Sequence, residues 1–135
     1  MSEGAVVVSP FSSKLTPVGQ VMQLLSTHTA GALLALPAAA YSGDLDTLAT
    51  VAASGELTVT VSNLNAVGWK AYDLSLTLAG WKGATHGATT MLKAQGWAAD
   101  SLFDVVNGTV AVSSGGVAKV VVPPFSVVRL VVAGK

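Results

Sequence analysis

The sequence predicts a mainly β fold: an antiparallel β-sandwich or barrel with one N-terminal α-helix. Three observations predict it. Short apolar segments alternate with period two along most of the chain. Turn signals rich in Gly, Ser and Pro separate them at regular spacing. One stretch near the N-terminus keeps helical spacing instead. The 135 residues fit a single domain over 1–135. They are too few for a complete (β/α)8 barrel, which needs roughly 200 residues or more.

Ala5 to Ser9 is rich in β-branched residues and predicts a short strand, stopped by Pro10. Thr16-Pro17 is a helix start, an N-cap followed by a residue whose φ is already set. Val18, Val21, Met22 and Leu25 follow at i, i+3, i+4 and i+7 and predict one apolar face of a helix over Pro17 to His28. Leu15 and Leu24 widen that face, and Thr27, Thr29 and Gly31 end it. Beyond Gly31 the spacing predicts strands at Leu33 to Leu36, Asp46 to Ala52, Glu56 to Ser62 and Tyr72 to Leu78. In the third of these Leu57, Val59 and Val61 share one face, with Thr58, Thr60 and Ser62 on the other, as in a sheet with one face solvated. Thr85 to Ala94 is a longer strand with Gly87 as a candidate bulge. Gln95 to Asp104 reads as a loop. Strands at Gly108 to Ser113, Val117 to Val122 and Phe125 to Val132 complete the set, divided by Ser113-Ser114-Gly115-Gly116 and by Pro123-Pro124.

Composition narrows the function. Hydrophobic residues make up 51% and charged residues 10%, against ~25% charged in a typical soluble domain. Seven Lys plus Arg balance seven Asp plus Glu. A net charge of zero excludes a nucleic-acid binder that works through a basic face, and it argues against a polybasic membrane-surface protein. The longest apolar stretch, Ala30 to Tyr41, is interrupted by Gly31 and Pro37 and is too short for a membrane span. The first residues, Met1-Ser2-Glu3-Gly4 and the short apolar run Ala5 to Val8, are not expected to act as a signal peptide. Cysteine is absent, which removes disulfides, thiolate metal sites and a Cys nucleophile. So few charges suit a chain that expects a neighbour, or an Ala- and Val-rich β-domain whose polarity comes from Ser, Thr and Gly.

The chemical inventory is thin. The carboxylates Glu3, Asp44, Asp46, Glu56, Asp73, Asp100 and Asp104 form no pair whose geometry the sequence can supply, and glycoside hydrolysis needs two of them flanking one bond. Asp44 and Asp46 lie beside Gly43 in a turn-like segment, where Asp commonly bonds its own backbone. His28 reads as a helix-terminal cation near the last carbonyls, and His86 as the opening of a strand. Asn107-Gly108-Thr109 matches a glycosylation sequon, and turn chemistry accounts for the same Asn-Gly. No cofactor motif and no metal site are expected. Trp69, Trp81 and Trp97 stand near predicted loops or strand ends. They are candidates for stacking on sugar rings, with core anchoring as the competing role.

Taken in order, these segments resemble a known family. Leu15-Thr16-Pro17-Val18-Gly19-Gln20-Val21-Met22-Gln23-Leu24-Leu25 resembles the last barrel helix of alpha-L-arabinofuranosidases and related clan-A glycoside hydrolases, and Ala5 to Pro10 resembles the strand before it. Leu57 to Asn65 is similar to a strand of that family's C-terminal sandwich. Leu92-Lys93-Ala94 with Leu102-Phe103-Asp104, and Val120 to Val128 around Pro123-Pro124, are similar to its later strands and final hairpin. The resemblance implies a jelly-roll-like C-terminal domain carrying the end of a barrel at about residues 5–28. It also implies that the family's two catalytic glutamates lie on barrel strands that this chain does not contain. The expectation is a non-catalytic accessory domain with no catalytic residue of its own. Its partners would be a catalytic (β/α)8 barrel in cis or trans, or a second copy of the chain. The alternative is a carbohydrate-binding module acting on plant polysaccharide.

Overall fold

The computed structural model describes residues 6–8, 13–15, 17–28, 30–41, 43–65, 70–81, 83–94 and 103–134. The first elements are β1 (Val6–Val8), β2 (Ser13–Leu15) and α1 (Pro17–Leu25), which a 3-10 turn continues over Ser26–His28. Then come β3 (Ala32–Leu33), β4 (Leu45–Val51), β5 (Leu57–Asn63), β6 (Tyr72–Thr77), β7 (His86–Ala94), β8 (Phe103–Ala111), β9 (Val117–Val122) and β10 (Ser126–Val132). Short 3-10 turns at Ala38–Tyr41 and Ala79–Trp81 join strands.

A six-stranded sheet in the order β3-β4-β5-β10-β7-β8 faces a two-stranded sheet, β6-β9, and β1 pairs with β2. Every pairing between these strands is antiparallel. The chain crosses from the large sheet to the small one after β5 and after β8, and returns into β7 and into β10. That alternation between layers is a jelly-roll trait. Val59 and Val61 of β5 and Val128, Leu130 and Val132 of β10 meet Ala118, Val120 and Val122 of β9, with Leu74 and Leu76 of β6 alongside. Period two places these side chains on facing surfaces, so their burial closes the sandwich.

The mainly β class and most strand positions follow the sequence, and several details differ. β3 ends at Leu33 rather than Leu36, because Leu34 and Leu36 turn to pack against the core. β2 has no counterpart in the sequence reading. β8 starts at Phe103, five residues early, and Asn107-Gly108 lies inside it, paired with Thr90 and Thr89, not in a turn. Gly87 is not a bulge. It continues the β7 ladder opposite Val110, and a Cβ there would stand 2.6 Å from Leu130 Cδ1 and 3.1 Å from the Val131 carbonyl. Glycine therefore allows a close approach of β7 to β10. The expected solvated face of β5 is covered: Thr58 is 5% exposed and Thr60 2%.

Candidate functional site

On that face of the sheet lie α1 and the 3-10 turn that continues it. Three side chains at i, i+4 and i+8 point from the helix to the sheet. The Gln20 amide clamps the start of β8: Phe103 N–H donates to Oε1 (3.0 Å) and Nε2 donates to the Phe103 carbonyl (3.3 Å). Leu24, 5% exposed, packs with Leu92 of β7 and Val127 of β10. His28 places Nδ1 2.8 Å from Thr50 Oγ1 of β4 and Nε2 2.7 Å from Thr60 Oγ1 of β5. The helix thus runs across the sheet from β8 to β4 and touches it once per turn, as 3.6-residue periodicity allows.

The apolar face read from the sequence, Val18, Val21, Met22 and Leu25 widened by Leu24, is divided in the structure: Leu24 is buried and Val21 packs beside it. Val21 and Leu25 are half-buried, while Val18 and Met22, one turn apart, are each 59% exposed. Both the sheet-facing and the outward stripe of α1 hold large apolar groups, a pattern typical of helices covered on two sides. Val105, 54% exposed on β8, shares the sheet face that α1 covers, since it pairs with Leu92.

His28 corrects the sequence reading. It is not a solvated cation at a helix end but a 7% exposed imidazole between two hydroxyls. Burial, and then the positive charge of Arg129, hold its pKa below the ordinary 6.5. His86 does open β7 and is exposed, with Thr85 Oγ1 3.0 Å from its Nδ1. Gly31 lets the chain turn beside this site, because a Cβ there would lie 2.8 Å from Thr50 Cβ.

Asp44 does not bond its own backbone. Its Oδ2 accepts from Asn65 Nδ2 (2.7 Å) and Tyr72 OH (2.8 Å). Those two bonds, Asn65 first, hold the carboxyl below 3.8, and the same bond raises Tyr72 above 10.0. Asn63, 1% exposed, donates from Nδ2 to the carbonyls of Lys70, Val122 and Pro123, and its Oδ1 accepts from Asn65 N–H. These polar groups tie the ends of β5, β6 and β9 together. Among the described residues no group of three or more His, Asp or Glu side chains is placed to hold a metal ion. No helix among them is long and apolar enough to cross a membrane.

Of the three candidate tryptophans, Trp69 and Trp97 lie outside the described residues. Trp81 is half-buried against the core, and its Nε1 donates to the Gly55 carbonyl (3.0 Å). It also lines a surface pocket of about 300 Å³ with Thr85, His86 and Gly134. The structure brings no second described tryptophan to that pocket.

No protein-family model matches the chain, and no curated protein matches its sequence. Solved structures match its fold. An arabinose-bound GH51 alpha-L-arabinofuranosidase superposes with a TM-score of 0.75 at 18% identity, over 100% of this chain and 22% of its own. The alpha-L-arabinofuranosidase of Thermotoga maritima, in an arabinose complex, gives 0.72 at 16% identity over 96% of this chain and 31% of its own.

The fold is that of a segment of GH51 arabinofuranosidases.

A Paenibacillus polymyxa xyloglucanase of glycoside hydrolase family 44 shares it less fully, with a TM-score of 0.52 at 21% identity over 67% of this chain and 16% of its own. The chain therefore spans less than a third of the length of each of these arabinofuranosidases. At such identities the likeness concerns architecture. It extends over the N-terminal helix as well as the sandwich, which bears out the resemblance carried by the Leu15 to Leu25 segment and the later strands.

Gln20 and His28 were missed as docking groups, although their spacing with Leu24 was visible. Polar residues at i and i+8 are normally assigned to the solvent side, and the sheet's threonines that receive His28 are distant in sequence.

Proposed function

We propose that the chain is a non-catalytic accessory domain of an arabinofuranosidase-like glycoside hydrolase, and that it packs on a catalytic (β/α)8 barrel through the outward stripe of α1. One observation carries this reading: Val18 and Met22 stand out from a helix whose opposite side is already docked. Covering each of them adds on the order of 1 kcal/mol of apolar burial. The low charge of the chain and its match to a part of much longer arabinofuranosidases support the same reading. The test mixes the chain with the barrel portion of a GH51 arabinofuranosidase from which the matching segment has been deleted. Co-elution that Val18→Lys with Met22→Lys abolishes is the expected result, together with no hydrolysis of an aryl arabinofuranoside by the chain alone. Hydrolysis by the chain, or co-elution that the double variant leaves intact, would overturn the proposal.

A second reading, carbohydrate binding, draws on the pocket beside Trp81. An indole face next to a hydroxyl and an imidazole suits a single sugar ring. Titration with arabinan and xylan would then quench tryptophan fluorescence in the parent chain and less so in Thr85→Ala with His86→Ala. An unchanged spectrum removes this reading.

A further inference from the structure

The helix stripe that docks on the sheet ends in a titratable group. His28 is the last of the three docking residues and ends the 3-10 turn, four positions before β3. Both of its ring nitrogens are engaged by hydroxyls from two different strands, Thr50 on β4 and Thr60 on β5. In the neutral ring one nitrogen donates and the other accepts, so one threonine accepts from the ring and the other donates to it. Protonation makes both nitrogens donors, and the donating hydroxyl must turn.

The charged surroundings are one-sided. From β10 comes Arg129, the register neighbour of Thr60. Its guanidinium donates to Thr90 Oγ1 of β7 at 3.1 Å, and its buried Nε has no partner. From β4 the same face carries Asp46, exposed, two positions beyond Leu48 and opposite Ser62. The other residues of that face on β5 and β7 are Thr58, Ser62, Ala88, Leu92 and Ala94, which carry no charge, and the titratable His86, exposed at the start of β7; Gln20 and Leu24 of α1 carry none. Among the described residues no carboxylate is bonded to His28 or to Arg129. A proton on His28 would therefore place a second positive charge in a buried site that already holds one, with no bonded anion to offset it.

We propose that His28 is a pH-sensitive latch: neutral, it holds the end of α1 on the sheet, and protonated, it lets that end lift. Lifting would loosen Leu24 from Leu92 and Val127 and change how the outward stripe of α1 is presented to a partner. In the lifted form the ring is solvated and takes up its proton at the ordinary value of ~6.5. The closed form takes it up only at lower pH, so the lifted form binds more protons in between. Closure is thus complete above ~6.5 and is lost as pH falls below it, by up to about tenfold in the opening equilibrium per pH unit.

The test is native-state hydrogen exchange on the full chain from about pH 7.5 to about pH 5, each rate corrected for the intrinsic pH dependence of exchange. Protection of the Val21 to Leu25 amides is expected to fall by up to about tenfold per pH unit below ~6.5. Protection in β9 and β10 should stay level over the same range. In His28→Gln, which keeps a donor and an acceptor but no titratable group, α1 protection should be flat with pH. A flat profile in the parent chain, or an equal fall in the variant, overturns the proposal. Should the variant fail to fold, the ring signals of His28 in the parent chain decide: a midpoint well below ~6.5 supports the latch, and a midpoint at the ordinary value overturns it.

Discussion

Asn63 joins three parts of the chain through one side chain. Its amide donates to the carbonyls of Lys70, Val122 and Pro123 and accepts from Asn65, at 1% exposure. Removing it leaves the carbonyls of Lys70, Val122 and Pro123, at the ends of β6 and β9, without this donor. Asn63→Ala is therefore expected to cost about 3 kcal/mol in urea unfolding, and a loss under about 0.5 kcal/mol would show that water replaces the amide freely. Asn63→Asp should be at least as damaging, since an ionised carboxylate offers no donor to the three carbonyls. The Asn63-Leu64-Asn65 segment was recognisable in the sequence as a motif. Its role was not, because its acceptors lie 7 to 60 positions away and only the fold brings them together.

At the scale of elements, periodicity located β4, β5, β6, β9 and β10 within a residue or two, and α1 together with its 3-10 continuation, because each has one spacing and clear turn signals at its ends. It failed where a local signal competes with tertiary pairing. Asn107-Gly108 has turn chemistry, yet the ladder with Thr89 and Thr90 keeps it extended. It also left open which part of the apolar face of α1 meets the sheet, since a helix apolar on two sides does not reveal which side that is. The structure assigns that side to Gln20, Leu24 and His28, with Leu24 as the apolar centre. Leu24→Ala is expected to destabilise the docked helix by about 2–4 kcal/mol. Amide exchange should locate the loss in α1 and at the start of β8, where the Gln20 clamp holds Phe103. Exchange that accelerates equally in β9 and β10 would mean that α1 and the sandwich unfold together, not as separable layers.

At the scale of the whole molecule, two causes of self-association must be separated. Net charge is zero at neutral pH, so repulsion between copies is weak whatever their faces look like. The outward stripe of α1 adds a specific apolar contact. Val18→Lys with Met22→Lys changes both, because it raises the net charge by two as it removes the apolar pair. Ser75→Lys with Thr77→Lys is the matched control. It adds the same charge on the outward face of β6, where both residues are exposed and alternate with the core-facing Leu74 and Leu76. Sedimentation of the parent chain is expected to show concentration-dependent association. The α1 pair should abolish it, and the β6 pair should leave most of it in place. Equal dissociation by both pairs would assign the association to charge alone, and the α1 stripe would lose its standing as the docking surface for a barrel.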